Sequence, residues 1–332
     1  MPDPTTPAAL LQLSGGYWKT CALHAGAMLD VFTPIGDGAM SASALAAVLG
    51  CDARALAMLL SALTAMELLV KSGEDYRQTE TAREFLDTRS PRYIGFVIRH
   101  HHRLMASWTE LPEAVRTGQP RLDRQQRAQD PQGREDFLMA MFNLASAIAP
   151  RLAKAIDLSG CRRLLDLGGG PGTYAVHFCL ENPELTATVF DLATTEPFAR
   201  SVARRFGVAD RVAFAAGDYF EDEVPGGFDV AWLSQILHAE DPDGCLAILR
   251  KAVGALGPGG TVFVHDFMLR DTLDGPEFAT LFSLNMLLVT PHGQAYSQGQ
   301  IRGMMEQAGL RDIALLDFLG PNESRVLRGT VG

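Results

Sequence analysis

The chain has 332 residues, and its 29 Lys and Arg against 39 Asp and Glu give a formal net charge of −10. A hydrophobic share of 47% with 20% charged residues excludes a disordered or collagen-like chain, and the length allows two domains. The acidic balance argues against a dedicated nucleic-acid binder, because phosphate contacts need a local cationic surplus.

Residues 1–9, rich in Pro and Thr, read as a loose tail. From Leu10 to Phe32 apolar positions recur at helical spacing, and Pro34-Ile35-Gly36 stops the pattern. Ser41 to Gly50 reads as a short helix ending in glycine. Asp52 caps a second helix from Ala53 to Leu68, with Leu56, Leu59, Leu60, Leu63 and Met66 on its apolar side. Leu68 to Thr79 alternates around Ser72-Gly73 like a β-hairpin. Helix, turn, helix, hairpin is the order of a winged helix. Between Ser41 and Ser90, however, five Lys/Arg face seven Asp/Glu, and the second helix carries only Arg54. Such a helix offers almost nothing to base edges or phosphates, so a packing module fits better than a DNA reader.

Residues 91–160 read as helical with one break. Arg92 to Arg116 is amphipathic, a polar loop with Arg121, Arg124 and Arg127 follows, and another helix runs around Arg134 to Ile156. From Arg163 onward short β-like runs alternate with helices: RRLLDL, TATVFDL, RVAFAAG, FDVAWLSQ and GTVFVHDF. That alternation predicts parallel strands joined by crossover helices. The cysteines, Cys21, Cys51, Cys161, Cys179 and Cys245, are odd in number and show no ligand spacing, which predicts buried free thiols and no metal site. The first residues carry no cation ahead of an apolar run, and no uninterrupted apolar stretch of about 18 residues occurs. The expectation is a soluble, cytoplasmic protein without a membrane partner.

The strongest chemical signal is Leu164 to Thr173, LLDLGGGPGT, a strand running into a glycine-rich turn and then a helix. Gly168, Gly170 and Gly172 allow the backbone to approach a ligand closely, and helix N–H groups then lie beside it. The spacing D-x-G-x-G-x-G differs from the dinucleotide fingerprint G-x-G-x-x-G, and Asp166 at the strand end suits an amino group better than a pyrophosphate. Alone, the loop is equally a tight strand–helix turn. Asp191 closes the second strand, where an acid can take both ribose hydroxyls. Asp218 follows the third strand and can accept from an adenine amino group while Tyr219 or Phe220 covers the ring.

These stretches, together with LSQILHAEDP and GPGGTVFVHDF, resemble the S-adenosylmethionine-dependent methyltransferases. More narrowly, the chain resembles the small-molecule O-methyltransferase family, which includes plant caffeate and flavonoid enzymes and bacterial natural-product enzymes. The likeness spans about Leu10 to Val331. It implies an α/β fold: a Rossmann-like, seven-stranded mixed sheet with an α-rich N-terminal winged-helix dimerisation domain. It divides the chain into that domain at 10–100, a helical linker at 101–160 that contributes to the substrate pocket, and a catalytic domain at 161–332. Glu323 to Val331 becomes an antiparallel edge strand.

The resemblance implies S-adenosylmethionine as cofactor, held by Asp166, Gly168, Gly170, Gly172, Asp191, Leu192, Asp218, Tyr219, Phe220 and Ser234. It implies a homodimer and a small-molecule acceptor. His238 falls where the family places its general base, and Asp266 matches one of two acids that flank it. A phenol is mostly protonated at neutral pH, and an imidazole can take its proton as the methyl group transfers. The sequence departs from the family at three points: Ala239 follows the base instead of Asp, Ala295 stands where a second Glu is common, and Ser234 replaces a Lys. The missing acids keep C- or N-methylation open beside O-methylation. Readings of another class are a ligand-sensing winged-helix regulator, against which the acidic balance and the intact cofactor motifs weigh, and a non-catalytic cofactor binder.

Met139, Met141, Phe142, Phe278, Phe282, Asn285 and Met286 fall on helices that wall the acceptor pocket in the family, while each taken singly is equally a core residue. Asn285, a polar amide in LFSLNMLLV, requires a partner. His100-His101-His102 cannot all reach one metal ion from a regular helix, because successive residues point about 100° apart. His101 and Trp108 are the residues expected nearest to substrate.

Overall fold

The computed structural model describes residues 6–121 and 130–332. The chain forms two compact units, one ending at Met105 and one running from Ala106 to Gly332.

In the first unit, helices at Pro7–Ser14, Tyr17–Met28, Phe32–Ile35, Ala42–Leu49, Ala53–Ala65 and Glu80–Phe85 surround a small sheet. Its strands are β1 (Met40–Ser41), β2 (Leu69–Ser72) and β3 (Asp75–Gln78), in the order β1-β3-β2. Thr6 caps a helix at Pro7, so residues 6–9 are ordered by a side-chain bond to the Ala9 N–H; residues 1–5 lie outside the described residues. Gly15-Gly16 divides the long helix expected from Leu10 to Phe32, and Pro34 sits inside the one-turn helix instead of ending the pattern. Gly36, at φ 55°, makes the stop. Ser41 and Asp52 cap their helices, and Gly50 at φ 65° closes the first of them. The second ends at Ala65, three residues short of the expected Leu68, because Leu69 is already a β2 residue. Leu45, Leu56, Leu60 and Leu63 fill the core with Phe32 and Ile35. On the outside, Leu10, Leu11, Leu13, Tyr17 and Trp18 are all exposed. Cys21 is exposed too, and Cys51 and Cys161 are half-buried, against the expectation of buried thiols, which Cys179 and Cys245 meet.

The helix Gly95–Thr109 carries the chain into the second unit, where Leu111–Thr117, Pro131–Ser146 and Ala149–Ala155 follow. Arg124 and Arg127 lie outside the described residues. The sheet consists of β4 (Arg163–Leu167), β5 (Thr186–Asp191), β6 (Val212–Ala216), β7 (Phe228–Ser234), β8 (Leu256–Asp266), β9 (Leu310–Leu315) and β10 (Arg325–Val331), ordered β6-β5-β4-β7-β8-β10-β9. The first five are parallel, and β10 runs antiparallel to both β8 and β9.

Two details differ from expectation. The strand at 325–331 is not an edge: it pairs along both sides, with Leu327 opposite Val264 and also opposite Leu315. Val326, Leu327 and Gly329 are buried, whereas the outer strand β9 exposes Arg311 and Asp312. Gly257 to Gly260 is also strand, so β8 begins at Leu256, ahead of the expected run GTVFVHDF, and enters through a register shift opposite Phe228 to Val230.

Alternation along the strands divides the core into two layers. Leu164, Val230, Trp232 and Phe263 face the helices Ala149–Ala155 and Thr173–Glu181. Leu165, Leu167, Ala231, Leu233, Val262 and Val264 face Pro242–Gly254 and Gln298–Gln307. Chain order reverses at β4, flanked by β5 and β7, and a crevice at the carboxyl ends of such strands is where open α/β sheets bind ligands.

Candidate active site

The turn after β4 is built on three glycines in the left-handed region: Gly168 at φ 65°, Gly170 at 54° and Gly172 at 71°. A Cβ on Gly168 would stand 2.9 Å from Ile236 Cγ2, and one on Gly172 2.9 Å from Val189 Cγ2. A Cβ on Gly170 would meet nothing within 4 Å, so this glycine faces open space. Its N–H donates to Asp191 Oδ2 at 2.8 Å. Asp191 also accepts from its neighbour Leu192 N–H and from Thr195 Oγ1, and burial pushes its carboxyl above the usual range.

Asp166 is fully buried beneath the turn, where a Cβ on Gly169 would collide with its carboxyl. One oxygen accepts from the Ala175 N–H at 3.3 Å, and the other has no partner among the described residues. Burial, with Asp191 as a lesser cause, lifts its pKa to about 7. The side chain therefore braces the loop and keeps one acceptor oxygen in reserve. Beyond β6, Asp218 Oδ1 accepts from the Phe220 N–H at 2.8 Å, and the Tyr219 and Phe220 rings meet edge to face with centroids 4.9 Å apart. Leu192 and Phe220 are both exposed, each next to one of these acids or one residue beyond it.

β7 ends in Ser234, and a short helical turn at Leu237–Ala239 presents His238. Its Nδ1 lies 2.8 Å from Asp266 Oδ1 at the end of β8, with the imidazole side chain 12% exposed and the carboxylate 5%. A carboxylate only accepts, so Nδ1 carries a proton, and in the neutral imidazole Nε2 presents its lone pair. Asp266 Oδ1 also accepts from the Phe267 N–H at 2.9 Å. The His238 ring meets the edge of Phe282 at 4.7 Å, and Phe267, Phe278 and Phe282 form one aromatic group, with Phe278 and Phe282 stacked at 14°. Asn285, one turn further along the helix Glu277–Val289, finds its partner in Trp108, whose Nε1 donates to Oδ1 at 3.1 Å.

The residues singled out in the sequence are not all brought together. Phe142 is a core residue facing Phe206 and Arg205, and Met139 packs against the same layer. Met286 is buried and Met141 half-buried. His101 belongs to the first unit, on the helix Gly95–Thr109. Three polar neighbours escaped sequence reading. Tyr174 meets the His265 ring edge to face with centroids 5.7 Å apart; His265 Nδ1 lies 2.9 Å from Ser234 Oγ; Ser324 Oγ lies 3.1 Å from His265 Nε2. Only the place of His265 beside Asp266 could have drawn attention to it. No three His, Cys, Asp or Glu side chains among the described residues are grouped to hold a metal ion. No single helix among them is long and apolar enough to cross a membrane.

Sequence profiles match the chain in two places: an O-methyltransferase domain at residues 108–311, and an O-methyltransferase dimerisation domain at residues 11–88. A 3-hydroxy-5-methyl-1-naphthoate 3-O-methyltransferase of Streptomyces sahachiroi is 33% identical over 99% of this chain and 96% of its own. The tetracenomycin polyketide synthesis 8-O-methyl transferase TcmO of Streptomyces glaucescens is 33% identical over 95% of both chains. Among solved structures, human N-acetylserotonin methyltransferase in complex with S-adenosylmethionine superposes with a TM-score of 0.88 at 25% identity, covering 100% of both chains.

Proposed function

The chain belongs to the O-methyltransferase family, and on that premise we propose that it transfers a methyl group from S-adenosylmethionine to a hydroxyl of a small aromatic or polyketide-like acceptor. The residues present fit that cofactor. Gly170 leaves open space at the turn, Asp166 has an acceptor oxygen in reserve, and Asp191 and Asp218 end successive strands of the same crevice. Asp191 would hold the ribose hydroxyls, and Asp218 the adenine edge with Leu192, Tyr219 and Phe220 around the ring. When bound, the cofactor supplies a methyl group on a positively charged sulfur.

The observation that carries the mechanism is the His238–Asp266 bond of 2.8 Å. Asp266 fixes the imidazole with its proton on Nδ1, and Nε2 is then free to take the proton of the acceptor hydroxyl. As the proton arrives, the adjacent carboxylate stabilises the imidazolium. The Phe267, Phe278 and Phe282 rings beside His238 give a flat acceptor an apolar wall and keep water away. A naphthoate and a polyketide acceptor in the names of two relatives agree with such a wall. Through residues 10–100 two chains associate, with residues 101–160 contributing to the acceptor pocket and 161–332 carrying the cofactor site; the dimerisation profile supports the pairing.

Calorimetric titration of S-adenosylhomocysteine into the protein tests the cofactor site. Micromolar binding that disappears in Asp191→Ala is the expected result. Well-folded protein that binds nothing would reject the proposal. Labelled methyl donor with a panel of hydroxynaphthoates then tests the acceptor class, and product analysis separates O- from C- or N-methylation.

A further inference from the structure

The short turn that presents His238 is held by three residues that take no part in its proton path. Cys245, fully buried on the helix Pro242–Gly254, donates its thiol to the Leu237 carbonyl at 3.0 Å. Tyr296, also buried, donates its hydroxyl to the Glu240 carbonyl at 2.6 Å. A carbonyl only accepts, so the direction of both bonds is fixed. Burial pushes the Tyr296 hydroxyl well above its usual range and lifts the Cys245 thiol to about 12, so both keep their protons near neutral pH. Gly293 is the third. A Cβ there would collide with the His238 carbonyl oxygen and stand 2.9 Å from the Ala239 carbonyl carbon. Backbone cannot swing aside as a flexible side chain can, so the approach needs glycine.

The segment 290–296, which carries Gly293 and Tyr296, is anchored in turn. The Gly293 N–H donates to Thr290 Oγ1 at 2.8 Å and the Ala295 N–H to Ser283 Oγ at 3.1 Å, which ties the segment to the helix that bears Phe278 and Phe282. The Tyr296 carbonyl accepts from the Leu269 N–H at 2.9 Å, three residues beyond Asp266. Tyr296 thus reaches with its hydroxyl to the chain two residues past His238, and with its carbonyl to the chain three residues past Asp266. The bond to Asp266 holds only the ring end of His238. Where the other end of that side chain starts is set by the backbone of the turn.

We propose that Tyr296 is a positioning residue: with Gly293 packed against the turn, it locks the backbone that bears His238 to the chain that bears Asp266 and to the helix that bears the aromatic acceptor wall. The inference rests on the reading of His238 as the general base. Misplacing a reacting group by about 1 Å costs on the order of 10²-fold in rate, whereas cofactor affinity draws on other residues and stays as it was.

A double-mutant cycle tests it, with labelled methyl donor and the hydroxynaphthoate that the wild type methylates fastest. Tyr296→Phe keeps the ring and deletes only the hydroxyl. It should lower kcat about tenfold and leave the Kd for S-adenosylhomocysteine within about twofold. In a His238→Ala background the same substitution should cost less than about twofold, because no base is left to misplace. Gly293→Ala acts through a different contact, so the cycle stands if one variant does not fold; its loss should be larger, about 10²-fold, and should also vanish without His238. Equal losses with and without His238, or losses matched by weaker S-adenosylhomocysteine binding, would mean that the segment only supports the fold. Unchanged kcat in both variants would remove its link to the base. Either outcome, with His238→Ala itself slow, overturns this inference alone. A His238→Ala enzyme as fast as wild type, or a wild type that methylates no hydroxynaphthoate, overturns the functional reading and the inference together.

Discussion

His238 and Asp266 meet at 2.8 Å across the ends of two neighbouring parallel strands, β7 and β8. Ala239 and Ala295 stand where the family often has acids, and in the proposed mechanism Asp266 is the carboxylate that orients His238. Hence His238→Ala should lower kcat by about 10²–10⁴-fold with the KM for the methyl donor little changed. Asp266→Asn should cost less, because an amide oxygen can still accept from Nδ1–H while the charge that stabilises the imidazolium is gone. Steady-state kinetics with a competent acceptor check the order, and a larger loss in Asp266→Asn would give that residue a different task.

The glycine turn separates two kinds of damage. Gly168→Ala places a Cβ 2.9 Å from the buried Ile236 in a left-handed conformation, whereas Gly170→Ala carries only the left-handed strain, about 1–2 kcal/mol. Thermal melts should show Gly168→Ala to be the less stable variant by a further 1–3 kcal/mol or so. Binding should rank them by another rule: Gly170→Ala fills the open side of the loop and should weaken S-adenosylhomocysteine well beyond what its melting temperature suggests.

Two buried groups oppose each other in the pH profile of stability. His265 has a folded pKa of about 4, below its ordinary value, so the stability it confers is present above about pH 6.5 and is lost as pH falls through 4. Asp166 has a folded pKa of about 7, so its contribution is present below about pH 4 and is lost as pH rises through 7. Between those limits the slopes have opposite signs and partly cancel. Replacing His265 by Asn removes one of them, so the stability of the variant relative to wild type should be more favourable near pH 5 than near pH 7. Urea midpoints at the two pH values measure this, and a difference independent of pH would contradict a neutral buried imidazole.

On the first unit, Leu10, Leu11, Leu13, Tyr17 and Trp18 are exposed large apolar side chains within nine residues, which a partner chain would cover. Replacing Leu13 and Trp18 together by Ser should weaken self-association by about thirtyfold or more and leave the far-UV spectrum unchanged. Sedimentation velocity over a dilution series reads the effect. Unaltered association would move the interface elsewhere.

The motifs at 164–173, 191, 218 and 238 were legible in the sequence because each is local: a strand end, a turn and the residue that follows. The cap Asp52 was legible for the same reason, whereas Ser41, which reads as part of its helix, is its cap. Long-range choices were not. Nothing in ESRVLRGTV says that its strand inserts between β8 and β9, since an alternating run fits an edge or an interior place until its second partner is known. The resemblance places Phe142 on a pocket-wall helix while the residue alone reads equally as core, and Phe206 and Arg205 face it in the core. His265 and Ser324 are 59 residues apart, and only the pairing of β8 with β10 brings them within 3.1 Å.

The insertion of β10 also sets an order of events during synthesis. β9 leaves the ribosome before the strand it pairs with, and β8 likewise waits with its outer edge bare. For that interval β8, already paired with β7 on its other side, and β9 each show a bare edge, with Val262 to Val264 on one and Leu310, Ile313 and Leu315 on the other, of the kind that pair with wrong chains when crowded. Arg311 and Asp312 at the start of β9 place charge on that strand while it has no neighbour. The step that completes the sheet is also the one that delivers Ser324 to His265, so a nascent chain acquires its last buried polar contact in this layer only as that edge is closed.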